Sequence, residues 1–389
     1  MPRKTKPVRK FGVLVYHPAT EEVLALENLL SFQRRARLRK KALAKAIARH
    51  EERLSKLDEE GRKAMERVEL IGKQLAERKR LLVPVHASRA IARIGDALAL
   101  HAPDSAEVLV PRPETIQKFY RRDKPSDRES QADVVVMLVN GLHDHFLAQA
   151  ARCRQRGQKY AVVQIALRTT RHPNTEAWRE LWRNAAVVWT YYPLDVWIKE
   201  DGGAPVDFNF YHAPLGVDPK VFNLESETPY MPRTVMICTS GARLSQESTL
   251  ECDRACRAVD GVLFQLGPKL TFQSRAYQLT GIPDKELAEM YRRCKYVSGL
   301  RRHEGFELPA AEGLMCGARP VLYDKPHYRT WYDGHAIFIP EGDPAEVVRS
   351  LTDVFSREPD PVGVDEFAQV ARKFNWKSIA SGFWERALA

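Results

Sequence analysis

The sequence predicts an α/β protein of two Rossmann-like domains in tandem, with a long basic helical segment in the first. Three observations carry this reading. β-Branched runs of strand length alternate with helical stretches; the alternation stops at a polar segment with two prolines and then restarts; and residues 21 to 82 hold almost no Gly or Pro. Alternating strands and helices imply a parallel sheet covered on both faces. A chain of 389 residues has room for two such units.

"KFGVLVYHP" reads as a first buried strand, ended by His17 and Pro18. Glu21 to Leu82 follows as a long helix or helical hairpin, with a break near "LDEEG" at residues 57 to 61. "QADVVVMLVNG", "QKYAVVQIAL" and "NAAVVWTYY" are strands, separated by the helical stretches "DHFLAQAARCRQRGQ" and "TEAWRELWRN". "NLESETPYMPRT", residues 223 to 234, reads as an interdomain linker, which puts the first domain at 1–228. The second domain, 229–370, opens with the strand "RTVMICTS", then "GVLFQLGP", the helix "KELAEMYRRC" and the strand "KYVSGL". "RPVLYD" is a further strand, and "HAIFIPEGDPAEVVRSLTDVF" a strand leading into a helix.

Hydrophobic residues make up 44% and charged residues 29%, as expected of a soluble globular protein. No apolar run approaches the ~20 residues that span a bilayer. The basic start "MPRKTKPVRK" leads only into a short strand, so no secretory signal is expected. The six cysteines (Cys153, Cys238, Cys252, Cys256, Cys294 and Cys316) form no C-x-x-C pair and read as reduced thiols of a cytoplasmic protein. "LHDHF", with His143, Asp144 and His145, invites a metal reading, but two loop histidines at that spacing make a polar turn more readily than a metal site.

The net charge of +11 is lopsided. Residues 229 to 389 hold 21 basic and 21 acidic residues, whereas the first 228 hold 40 and 29. A polyanionic partner for the first half follows from that asymmetry. From Asn28 to His50 there is no acidic residue, while Arg34, Arg35, Arg37, Arg39, Lys40, Lys41 and Lys45 all fall there. A solvated helix face is the plain alternative, but such faces usually mix signs, and a single sign better matches phosphate tracking.

The stretch "HEGFELPAAEGLMCGARPV", residues 303 to 321, carries the chemistry. "KYVSGL" should end at the crevice where doubly wound sheets bind ligands, so "RRHEGFEL" is a loop facing it. Pro309 suits a first helical position and Gly317 the residue past a helix end, which predicts a short helix over about 309–316. Its free N–H groups make an anion site. Glu304 before it and Glu312 within it can accept hydrogen bonds from vicinal hydroxyls. A phosphate held between two sugar-binding carboxylates describes a nucleotide-sugar.

The same stretch resembles the E-x7-E signature of retaining glycosyltransferases with the GT-B fold, family 4 in particular, whose text runs close to EGFGLPxxEAMACGxPVV. "HAPLGVDPKVF" (212–222), "GIPDKELAEMYRRCKYVSGL", "IPEGDPAEVVRSL" and "KFNWKSIASGFWERAL" resemble further family segments in the right order, covering about Val206 to the C-terminus. The resemblance implies that Glu304 contacts the donor sugar and Glu312 the nucleotide ribose, with Gly305, Phe306, Glu307 and Leu308 around the sugar and diphosphate. It also implies that the terminal helix, 371–389, crosses back to the first domain. The family's G-R-x-x-x-x-K diphosphate clamp falls on Ala242, Arg243 and Ser248, so its Gly and Lys are lost; Glu307 likewise replaces a usual Gly. Lys269, Arg301 or Arg302 is then expected to supply the missing cation. The first strand lacks the family's glycine-rich turn, leaving His17 as a candidate acceptor-side catalytic residue beside Glu304.

By the same resemblance a sugar moves from a nucleoside diphosphate, UDP favoured, to a hydroxyl with retention. The acceptor attacks from the leaving-group face and the diphosphate takes its proton. No metal and no cofactor is expected, since basic groups and a helix terminus can carry the leaving diphosphate. The basic first half favours DNA with a 5-hydroxymethylated pyrimidine as acceptor, as used by viral base-glucosylating enzymes of this fold in a host cytoplasm. Such an enzyme must flip the base out, and Trp189, Tyr191, Tyr192 and Trp197 are aromatics that could stack on it or else pack the core. The rivals are a cell-envelope enzyme docked on an anionic membrane surface, and a nucleic-acid-binding protein on an inactive scaffold.

Overall fold

The computed structural model describes residues 79–82, 89–109, 129–141, 143–165, 175–200, 207–225, 234–238, 247–267, 270, 272–302 and 305–389. His17 and the basic run from Arg34 to Lys45 lie outside the described residues, as do Arg243, Lys269 and Glu304. What is described forms two six-stranded sheets, with every strand pair parallel. The α/β class with two Rossmann-like units, expected from the alternation, is the class observed.

The first sheet has the order β2-β1-β3-β4-β5-β6. Its strands are β1 (Lys79–Leu82), β2 (Ala106–Leu109), β3 (Val134–Val139), β4 (Lys159–Gln164), β5 (Val188–Thr190) and β6 (Phe210–His212). β1 corrects the sequence reading, which ran the helical segment on to Leu82. Lys79–Leu82 pairs with β2 on one side and β3 on the other, well inside the sheet. The basic, helix-forming composition runs up to Arg80 and hid a strand of four residues. β3 is buried along its whole length, as a strand covered on both faces must be. Helices α1 (Arg89–Leu100), α2 (Asp144–Gln155), α3 (Thr175–Arg183) and α4 (Leu194–Glu200) connect these strands.

The second sheet contains β7 (Thr234–Cys238), β8 (Val262–Leu266), β9 (Tyr277–Leu279), β10 (Tyr296–Gly299), β11 (Arg319–Tyr323) and β12 (Ile337–Ile339), in the order β12-β11-β10-β7-β8-β9. Counted from its own first strand, this is 3-2-1-4-5-6, the dinucleotide-binding order, with the switch point between β7 and β10. α5 (Thr249–Ala258), α6 (Asp284–Arg293), α7 (Leu308–Met315), α8 (Pro326–Tyr332), α9 (Pro344–Phe355) and α10 (Val364–Lys373) accompany it. Asp343 caps α9 by accepting from Ala345 N and Glu346 N, while the Glu346 carboxylate accepts from Asp343 N. Arg319, buried at the start of β11, is satisfied by the Glu366 carboxylate at 2.7 Å and the carbonyls of His335 and Asp360.

The last helix, α11 (Trp376–Leu388), lies against the first sheet rather than the second. Its Trp384 indole donates to the Leu98 carbonyl of α1 at 2.9 Å, and Tyr211 of β6 donates to its Ile379 carbonyl at 2.9 Å. Trp189 of β5 sits under it, with ring centroids 5.8 Å from Phe383 and 6.4 Å from Trp376. Trp189 and Trp197 are both fully buried, so neither has a free face for a base. Gly382 faces Tyr211, where a Cβ would come within 2.6 Å of the phenol oxygen.

Because Trp384 fills the seam between α11 and α1, Trp384→Ala should destabilise the fold by about 3–5 kcal/mol. Equilibrium urea denaturation checks this; a loss below about 1 kcal/mol would mean that α11 does not hold the first domain.

Candidate functional site

The expected crevice lies where the segments that follow β10 and β11 meet the residues after β5 in the first domain. β10 ends at Gly299, and the chain passes through Arg301 and Arg302 before entering α7. Glu307 is the N-cap of α7, Pro309 its second residue, and Gly317, just past the Cys316 C-cap, has φ +92°. Sequence and structure thus differ by one residue at the helix start. Ala311 N makes the first intrahelical bond, to the Glu307 carbonyl at 3.1 Å, so the N–H groups of Leu308 and Ala310 lie ahead of the helical ladder.

Gly305 lies against the Tyr192 ring of the first domain. A Cβ at 305 would run into the Tyr192 ring, so no larger residue fits while the two domains keep this spacing. Around it lies an aromatic seam. The Trp331 indole of α8 donates to the Tyr191 carbonyl at 2.8 Å, and Phe306 stands 5.9 Å from Tyr191 and 5.6 Å from Tyr332. His212 lies 4.7 Å from Trp331, and His327 is 5.9 Å from Tyr192. Tyr191 and Tyr192 are therefore not open stacking platforms: both are buried, part of the core that runs from the first sheet into the seam. Burial holds the His212 imidazole below its ordinary pKa, against the Tyr191 carbonyl and the Asp195 charge, which pull it up.

Glu307 does not present its side chain to the crevice. It is 1% exposed, accepts from the Tyr328 hydroxyl at 3.2 Å, and has Arg301 at 3.5 Å, while its carbonyl accepts from the Tyr332 hydroxyl at 2.7 Å. Gly299 makes the space: a Cβ there would come within 2.9 Å of the Glu307 Cγ. Arg301 also lies 3.7 Å from Glu247 and is thus set between two carboxylates. The Glu307 carboxylate thus ties this loop to Tyr328 and Arg301, while its carbonyl is held by Tyr332.

Glu312, one turn into α7, is buried. It forms an ion pair with Arg93 of α1 and accepts from the Tyr291 hydroxyl at 3.4 Å. Arg93 also pairs with Asp284 at 2.7 Å and lies over the Phe222 ring. A diol reaching Glu312 must therefore displace or share Arg93, a partner from across the interface that sequence reading missed. Only the Cys-free, amphipathic pattern of "RAIARIGDALAL" could have signalled a helix there.

Arg302 lies beside Glu341 at 3.0 Å, and Lys325, just past β11, is 2.7 Å from the other oxygen of the same carboxylate. Both cations stand over the Tyr323 ring, at 5.2 and 5.9 Å. The Tyr323 hydroxyl is hydrogen-bonded to Ser248. Ser248 is the N-cap of α5 and is buried with φ +47°, a conformation that costs a non-glycine residue about 1–3 kcal/mol. His143, just before α2, and His145, in its first turn, stack on each other at 5.6 Å, and His145 also lies against the Phe146 ring at 4.0 Å. No helix among the described residues is long and apolar enough to cross a membrane.

Neither a protein-family model nor a curated protein matches this sequence. Solved structures do match its fold. A sucrose-phosphate synthase from Thermosynechococcus elongatus is 14% identical with a TM-score of 0.58, the match covering 80% of this chain and 99% of that one. HepE of Anabaena, in complex with UDP and glucose, is 12% identical with a TM-score of 0.61, covering 79% and 98%. The same protein in complex with UDP-glucose gives 0.59. The chain has the two-domain GT-B fold of these structures.

If Gly305 is required by Tyr192, Gly305→Ala should cost about 1–3 kcal/mol by overpacking, and the same change in a Tyr192→Ala background should cost far less. A double-mutant cycle in urea tests this; additive effects would show that the two residues do not constrain one another.

Proposed function

We propose that this protein is a retaining glycosyltransferase that moves a sugar from a UDP-sugar to a hydroxyl group. The observation that carries the reading is the position of the stretch from Gly305 to Gly317. It forms a loop and helix start at the carboxyl end of β10, beside the switch point of a sheet with dinucleotide-binding order. Free N–H groups at that start suit a diphosphate. The likeness of fold to HepE, whose complexes hold UDP with glucose or UDP-glucose, supports the choice of donor. In the reaction, the bond from the sugar anomeric carbon to the diphosphate oxygen breaks. The acceptor oxygen bonds to that carbon on the same face, and its proton passes to the departing diphosphate. Glu304 holds the donor sugar, Glu312 the ribose once Arg93 has yielded, and the work of the site is positioning and charge stabilisation.

The acceptor we favour is a 5-hydroxymethylated pyrimidine in DNA, modified in the cytoplasm of a virus-infected host. Its support is the charge of the first half and the acid-free run holding Arg34 to Lys45. With Trp189, Tyr191, Tyr192 and Trp197 all buried, no stacking role is assigned to them. A membrane-surface acceptor would use the same charge on anionic lipid.

Incubation with UDP-glucose and duplex DNA containing 5-hydroxymethylcytosine, followed by nucleoside mass spectrometry, should show a hexose added only to the modified base. UDP release without DNA modification would move the acceptor to the cell envelope, and no turnover would leave the inactive scaffold. DNA binding should weaken steeply with salt. Glu304→Ala should lower kcat/KM by about 100- to 1,000-fold while the denaturation midpoint stays in place; an active variant would remove Glu304 from the site.

A further inference from the structure

Arg302 and Lys325 hold two positive charges against the single carboxylate of Glu341. The three residues follow β10, β11 and β12 respectively, so all lie at the carboxyl edge of the second sheet. Their side chains are largely buried, at 20%, 16% and 32% exposure. Burial pushes the Glu341 carboxyl up, but hydrogen bonds and charge from Lys325 and Arg302 outweigh it and hold it below the ordinary glutamate range. The carboxylate is thus ionised at neutral pH, and the trio carries a net charge of +1. Both cations stand over the Tyr323 ring, whose hydroxyl reaches Ser248 at the start of α5. They are therefore tied to the first helix after the switch-point strand.

Two half-buried cations sharing one anion are under-neutralised. Glu341 gives each of them one carboxylate oxygen, and the Lys325 ammonium also donates to the Arg302 carbonyl, whereas a diphosphate offers several anionic oxygens and more charge. We infer that Arg302 and Lys325 are the diphosphate-holding cations of this site, and that Glu341 is a surrogate anion that keeps them in place until the diphosphate arrives. The inference rests on the donor reading above. Ser248 stands where that reading leaves a cation missing, and the pair supplies it from neighbouring strands. Of the earlier candidates this selects Arg302. Arg301 is set against Glu247 and Glu307, and Lys325 was not foreseen.

Affinity for UDP, uridine and inorganic pyrophosphate, measured by calorimetry on the full chain, tests the inference. Lys325→Met should weaken UDP and pyrophosphate binding by about tenfold or more, the scale of one lost charged hydrogen bond, and leave uridine unchanged. Glu341→Gln should strengthen UDP and pyrophosphate binding severalfold, again with uridine unchanged. Arg302→Gln should follow Lys325→Met, and Arg302→Lys should recover part of the loss. Thermal midpoints of all variants are recorded, so a folding defect shows as loss of uridine binding as well. If UDP binds and these variants leave it untouched, the cation pair is overturned while the donor reading stands. Pyrophosphate binding that depends on Lys325, without any nucleotide preference, keeps the pair and overturns the donor reading. If the wild-type protein binds neither UDP nor pyrophosphate, both fall.

Discussion

The spacing of the two domains at the aromatic seam governs much else in this molecule. Gly305 lies against the Tyr192 ring, Trp331 donates to the Tyr191 carbonyl, and Phe306 packs between Tyr191 and Tyr332. These contacts bring the loop before α7 up against the first domain. They leave little freedom for either partner: a methyl group at 305 would already force them apart. Arg93 adds a charged contact on the same side by reaching from α1 to Glu312 and Asp284. The surface at this junction is thus drawn from both domains, and the residues that shape it are held by packing as well as by loop conformation.

Charge in the crevice is arranged on the same plan. Each described cation near the loop has a carboxylate of the chain beside it: Arg301 with Glu247 and Glu307, Arg302 and Lys325 with Glu341, Arg93 with Glu312 and Asp284. Buried cations need such partners, because an isolated charge out of water is expensive. The same partners set a threshold for any anion that enters. On the proposed donor reading, a diphosphate meets that threshold by offering more negative charge than the carboxylate it displaces.

How legible this was depended on the length of the signal. β3 and β4 announced themselves as runs of Val and Ala, and five of the six strands of the second domain could be read, though its helices α5, α8 and α10 were not. β1 could not: four residues, Lys79–Leu82, are too short to stand out beside a long helix-forming stretch. β6 and β9 were passed over because "FYH" and "YQL" lack the β-branched residues that marked the equally short β5 and β12. At the site, the loop and helix of 305–317 were visible because Pro309, Gly317 and the glutamate spacing are local features. The burial of Glu307 was not, because its partners Tyr328, Tyr332 and Arg301 come from different elements and Gly299 makes the room. Arg93 and Lys325 were invisible for a similar reason, since each acquires its meaning only from a carboxylate far along the chain.

The placement of α11 bears on how the protein is made. This helix covers Trp189 and Tyr211 of the first domain, yet it is synthesised only after the whole of the second. While the ribosome is building the second sheet, α1 packs on that face of the first, but Trp189 and Tyr211 still lack the helix that completes their cover. A nascent chain in that state invites chaperones or unwanted pairing, and a premature stop near residue 376 would damage the half of the molecule translated first.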